Sequence, residues 1–248
     1  RLAEALPDAG TVIALYGPAG VGKTWLAAQV VERFAWRFPD GVLWLRCDAT
    51  TTDHTIFAHI ERLLNPCGVP PARIGERGTV LDDLRGRRVL VVLDDLDVVT
   101  PDDERARIVH AMRTLCEQSD SRAIITAREF QGALVALVDD VVLSVERFDP
   151  KAARTLAMRL AVERGLDVLD VDTIDDFLER TQGLPWLVAA GVRWIEAHRF
   201  KAALDSLAAF PSDAADPLAA HVAAQVQAIG AEGGAGLRLL RRAAQLPE

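Results

Sequence analysis

Residues 17–24 read GPAGVGKT, a G-x-x-x-x-G-K-T pattern with the apolar run TVIALY before it and the helical pattern WLAAQVVERF after it. Residue types at this spacing suit one kind of chemistry. Glycines let successive backbone N–H groups turn inward around a phosphate. A helix that starts directly after them points its positive N-terminal end at the same anion. Lys23 then reaches the β- and γ-phosphates, and the Thr24 hydroxyl is a Mg²⁺ ligand. The candidate cradle runs from Gly17 through Pro18, Ala19, Gly20, Val21 and Gly22 to Lys23, Thr24 and Trp25.

Such a phosphate loop needs a second magnesium anchor, and RRVLVVLDDLD at 87–97 has the right form. Val89–Leu93 reads as a buried strand. Asp94 and Asp95 follow at its C-terminal end, the end that faces the ligand in a parallel sheet. Asp94 is expected to hold Mg²⁺, largely through water, since Mg²⁺ keeps much of its hydration. Asp95 is expected to orient and polarise the attacking water. A further strand in SRAIITAR, residues 121–128, delivers Thr126 and Arg128 to the same edge, where a cation can contact the γ-phosphate. The candidate catalytic residues are thus Lys23, Asp95 and Arg128, with Thr24 and Asp94 for the metal.

These residues need a sheet to position them. Five short apolar runs, Thr11–Tyr16, Val42–Leu45, Val89–Leu93, Ala123–Thr126 and Val141–Val145, alternate with helical patterns. Leu26, Val30 and Phe34 fall on one face of the first helix. Ile108, Met112 and Leu115 fall on one face of another that starts near Glu104. The alternation predicts an α/β fold with a five-stranded, mainly parallel sheet flanked by helices.

After Phe148-Asp149-Pro150 the strand signal stops. Helices are predicted over Lys151–Glu163, Asp172–Gln182 and Leu187–His198. The break between the last two, TQGLPWLVAAGVRW, places Gly183 where a left-handed residue ends one helix and Pro185 in the first turn of the next. Ile174, Phe177 and Leu178 share a face before the break; Leu187, Ala190, Val192 and Trp194 are available for burial after it. A second change of composition comes at Pro211–Pro217. A Gly-rich loop, Gly230–Gly236, then precedes a basic helix at Leu237–Leu246. The expected division is a nucleotide-binding domain at 1–148, a helical domain at 149–210, and a linker with the start of a further domain at 211–248.

The 248 residues are 50% hydrophobic and 26% charged, an ordinary composition for a globular protein of one large or two small domains. A net charge of −8 argues against a broad nucleic-acid footprint on this segment. Cys47, Cys67 and Cys116 have no C-x-x-C spacing and read as reduced intracellular thiols. The five histidines form no H-E-x-x-H, so no zinc site is expected. No apolar run reaches spanning length, so no membrane partner is expected. The first residue is arginine rather than methionine, as in a segment of a longer chain.

The single asparagine, Asn65, is followed by proline, which leaves no N-K-x-D loop to read guanine. An L-S-G-G-Q-like signature is absent, and nothing marks the arginine-rich lid of a small-molecule kinase. GPAGVGKT, FPDGVLWLRCD (38–48), VLVVLDDLD (89–97), SRAIITAR (121–128) and QGLPWLVAAG (182–191) occur in that order. Together they resemble the NB-ARC class of STAND signalling ATPases, which includes the apoptosome scaffold protein, plant disease-resistance receptors and many bacterial regulators.

The resemblance implies a cytoplasmic switch operated by ATP and ADP with Mg²⁺. ADP holds the closed form. Exchange for ATP permits self-association of the full-length protein, and slow hydrolysis resets it. Arg128 takes the place of the family's sensor arginine, and Asp94 and Asp95 those of its magnesium and water acids. Pro185 takes that of the proline lying near the base. Ala127 stands where the family usually has a second threonine, and Trp186 where it has an aliphatic residue. The adenine-covering segment of the family would precede Arg1, and LRLLRRAAQLPE resembles the first helix of its winged-helix domain. Two other readings stay open: an AAA+-like mechanical ATPase, for which Arg154 and Arg159 offer lid arginines, and a nucleotide-binding scaffold without turnover.

Overall fold

The computed structural model describes residues 12–65, 77–129, 141–166, 177–179 and 181–197. The chain divides into two compact units, Arg1–Glu146 and Arg147–Glu248.

The first unit holds strands β1 (Val12–Tyr16), β2 (Gly41–Arg46), β3 (Val89–Asp94), β4 (Arg122–Ala127) and β5 (Val141–Ser144). They form one sheet in the order β2-β3-β4-β1-β5, and every neighbouring pair is parallel. All six residues of β3 and of β4 are buried, the apolar middles together with Asp94, Arg122 and Thr126 at or near the ends, while the edge strands β2 and β5 are partly exposed.

Side chains alternate across the sheet. Val12, Ala14, Val89, Val91, Leu93, Ala123 and Ile125 face one side. There they pack on helices α2 (Asp53–Leu64), α3 (Arg77–Leu84) and α4 (Asp102–Gln118). Ile13, Leu15, Leu90, Val92 and Ile124 face the other side and pack with Ala27 and Val30 of helix α1 (Lys23–Phe34). The N-terminus of α2 carries a reciprocal cap: Thr52 accepts from the Thr55 N–H, and the Thr55 side chain accepts from the Thr52 N–H. Register then sets the site. Tyr16 pairs with Ala127, and Leu93 with Ile125, so β1, β3 and β4 all end at one edge of the sheet.

In the second unit, helix α5 (Pro150–Glu163) starts at Asp149, whose carboxylate accepts from the Ala152 N–H at 2.7 Å. The alanines Ala153 and Ala157 pack with Phe177, Leu178, Val188 and Val192. Helix α6 (Pro185–Ala197) begins at Pro185, as the break in the sequence suggested. The turn before it needs two left-handed residues, Gln182 (φ 48°) and Gly183 (φ 69°). A Cβ on Gly183 would lie 2.2 Å from the Phe148 carbonyl oxygen, so glycine alone fits there. The Phe148 N–H donates to the Gly183 carbonyl at 2.9 Å, closing that contact from the other direction. Ile174, Cys67, Pro211–Pro217, Gly230–Gly236 and Leu237–Leu246 lie outside the described residues.

Candidate functional site

The loop leaving β1 makes a close turn. Gly17 has φ 152°, and a Cβ there would stand 2.3 Å from the Val145 carbonyl oxygen. Its N–H donates to the Arg128 carbonyl at 3.2 Å, which ties the loop to the end of β4. Gly20 (φ 76°) and Gly22 (φ 98°) are left-handed. Gly22 occupies the cap position of α1, and neither a side-chain cap nor an acid in the first turn sits at that helix start. The first-turn N–H groups of α1 thus carry no side-chain cap of the helix's own, the arrangement that suits an anion.

Lys23 is 7% exposed. Its Nζ donates to the Gly17 carbonyl at 2.8 Å and the Pro18 carbonyl at 3.1 Å. Burial draws its pKa below the usual lysine range. Asp97 and then Asp95 oppose the shift, Arg128 adds to it, and Asp94 opposes it again. The amine is thus held in the loop, tethered by carbonyls. Trp25, next along α1, is 67% exposed.

Asp94 is 3% exposed. Its Oδ1 accepts from the Thr24 hydroxyl at 2.8 Å and from the Thr126 hydroxyl at 2.6 Å. Thr126 Oγ1 in turn accepts from the Asp95 N–H at 2.9 Å. One carboxylate and two hydroxyls form an oxygen donor set, which fits a hard cation such as Mg²⁺. Among the described residues, no group of three or more His, Cys, Asp or Glu could hold a metal. A cation held here by Thr24 and Asp94 would leave most of its ligand positions to phosphate and water, which is how Mg²⁺ is ordinarily bound.

Asp95 has φ 61° and ψ 46°, a left-handed conformation that Asp tolerates better than most residues. Its carboxylate is 3.3 Å from Arg46 at the end of β2. Arg128 leaves β4 half-exposed. Its backbone N–H donates to Asp97 Oδ1 at 2.8 Å, and its Nε lies 3.4 Å from Asp97 Oδ2. The buried Cys47 thiol is pushed up to about 12, first by burial and then by Asp94 and Asp95. It stays neutral and acts as packing rather than as a nucleophile.

The structure thus brings together Gly17–Thr24, Asp94, Asp95 and Arg128 at one sheet edge. Pro185 belongs to the second unit, at the first turn of α6. Arg46 and Asp97 were not read as site residues, although both lie inside the quoted stretches FPDGVLWLRCD and VLVVLDDLD.

Solved structures share the fold. The Walker-type ATPase PABY2304 of Pyrococcus abyssi is 17% identical over 97% of this chain and 73% of its own, with a TM-score of 0.63. The Aeropyrum pernix ORC1 protein, solved in complex with DNA, is 18% identical over 84% of this chain and 63% of its own, with a TM-score of 0.56. Domain III of the Thermotoga maritima replication initiation protein DnaA is 15% identical over 82% and 86%, with a TM-score of 0.54. At such identities the likeness concerns the fold. No curated protein matches the chain. The family evidence is more direct. Residues 1–167 match the NB-ARC domain, and the chain belongs to that family of nucleotide-binding P-loop domains.

Proposed function

We propose that this chain is an ATP/ADP-operated conformational switch of a cytoplasmic signalling protein. ADP holds the helical unit in a closed state, with Pro185 packing near the base. Exchange for ATP opens it and permits self-association of the longer protein. Slow hydrolysis, with Asp95 orienting the water, returns it to the ADP state. Thr24 and Asp94 would hold Mg²⁺, which when bound supplies charge neutralisation at the β- and γ-phosphates.

The observation that carries this reading is Arg128. It follows β4, the strand beside the one that ends in Asp94. A guanidinium at that edge gains from a third phosphate what it does not gain from a second. One charge-assisted hydrogen bond of this kind contributes about 1.5–3 kcal/mol. Reversing a switch from 1:99 to 99:1 takes roughly 5.5 kcal/mol. Contacts other than Arg128 must therefore share the work. Arg128→Ala is expected to weaken a non-hydrolysable ATP analogue about tenfold or somewhat more and to leave ADP nearly unchanged. Paired calorimetric titrations check this; equal weakening of both nucleotides would make Arg128 a general phosphate or structural residue.

A second reading is a mechanical ATPase that acts on DNA, motivated by the DNA-bound ORC1 structure of the same fold. The net charge of −8 weighs against a broad nucleic-acid surface on this segment. Fast multi-turnover hydrolysis stimulated by DNA would favour that reading over the switch.

A further inference from the structure

Asp97 has no part in the switch as described, yet its carboxylate is held against Arg128. It sits in the short 3-10 turn Leu96–Val98 directly after Asp95. Arg105 of α4 donates to its main-chain carbonyl at 3.1 Å, which helps to fix the turn. Its side chain is 20% exposed, against 50% for Arg128. One oxygen accepts from the Arg128 N–H at 2.8 Å, and the other lies 3.4 Å from Arg128 Nε. Asp97 is also among the carboxylates that oppose the effect of burial on Lys23.

A carboxylate in this place is itself an anion on the cations that a third phosphate requires. An incoming γ-phosphate has to draw the guanidinium away from Asp97 and bring more negative charge in beside it. A diphosphate has no such need of Arg128. We propose that Asp97 is a latch on Arg128 that lowers the preference for ATP over ADP: it holds the guanidinium when no γ-phosphate is present and competes with that phosphate when it arrives. The proposal rests on the reading of Arg128 as the γ-phosphate sensor. Asp97 is a positioning residue in it, acting through Arg128.

Asp97→Asn separates the latch from mere support of the loop. The amide oxygen still accepts from the Arg128 N–H, while the charge that grips the guanidinium is gone. In titrations with Mg²⁺ and either ADP or a non-hydrolysable ATP analogue, the variant should gain affinity for the analogue relative to ADP. The expected gain is about two- to fivefold, the range set by a half-exposed ion pair. In an Arg128→Ala background the selective gain should vanish. Damage to the fold does not produce a gain of affinity, so the result is readable in either direction. No selective gain in Asp97→Asn, or a selective loss, overturns the latch; a loss would show that Asp97 orients Arg128 toward the phosphate. A gain undiminished in the Arg128→Ala background also overturns it, because the effect would then be general charge removal. If Arg128→Ala alone weakens both nucleotides equally, the sensor reading fails and the latch fails with it. A selective Arg128→Ala effect beside a silent Asp97→Asn removes only the latch.

Discussion

Lys23→Ala should lower ADP and ATP affinity by on the order of a hundredfold or more while the protein stays folded. The amine is held inside the loop by the Gly17 and Pro18 carbonyls, so on the phosphate-loop reading it is already placed for its ligand. Charge-assisted hydrogen bonds to two phosphates contribute about 1.5–3 kcal/mol each, and a hundredfold corresponds to about 2.7 kcal/mol. The fold has little to lose. Burial disfavours the charged lysine, in line with its lowered pKa, and alanine at the first position of α1 is a good helix former. Calorimetry with ADP and a thermal melt on the same sample check both halves. Unchanged ADP affinity would remove the phosphate-loop assignment.

The second large effect is on turnover. Asp95→Asn should keep nucleotide binding and slow hydrolysis by about 10²–10⁴, the range for loss of a positioned acid–base group. Asparagine is the informative replacement because Asp95 has φ 61°. Alanine at a left-handed position adds roughly 1–2 kcal/mol of backbone strain, whereas Asn tolerates it. The test is single-turnover hydrolysis under saturating Mg²⁺-ATP, alongside an ATP-analogue titration. Undiminished hydrolysis would take Asp95 out of the chemistry.

The sheet was legible in the sequence because its central strands are buried on both faces. VLVVLD and RAIITA have no polar residue where a half-exposed strand would need one until Asp94, Arg122 and Thr126 at or near their ends. GPAGVGKT was legible because each of its glycines meets a local backbone demand, a positive φ at Gly17, Gly20 and Gly22. Helix α2 was harder to see. Its reciprocal cap uses Thr52 and Thr55, not the Glu or Gln that marks most such starts. The contacts of Arg46 and Asp97 could not be read from local spacing at all. Arg46 meets Asp95 because β2 pairs with β3 in a register that sets Arg46 opposite Asp94. Asp97 meets Arg128 because β3 and β4 are neighbours. Tertiary register makes both pairs. Likewise, the sequence showed Gly183 as a helix end, but not that Gln182 before it also turns left-handed.

If the third phosphate changes the state of the helical unit, amide hydrogen exchange in residues 184–192 should depend on which nucleotide is bound. The measurement compares the 248-residue chain saturated with Mg²⁺-ADP and with Mg²⁺ and a non-hydrolysable ATP analogue. These residues run from buried Leu184 through the start of α6 to buried Val192. Local opening sets their exchange rates. A closed ADP state predicts slower exchange there with ADP than with the analogue, the difference a nucleotide-dependent shift of population produces. Equal exchange under both nucleotides, with each shown to be bound, would contradict the switch.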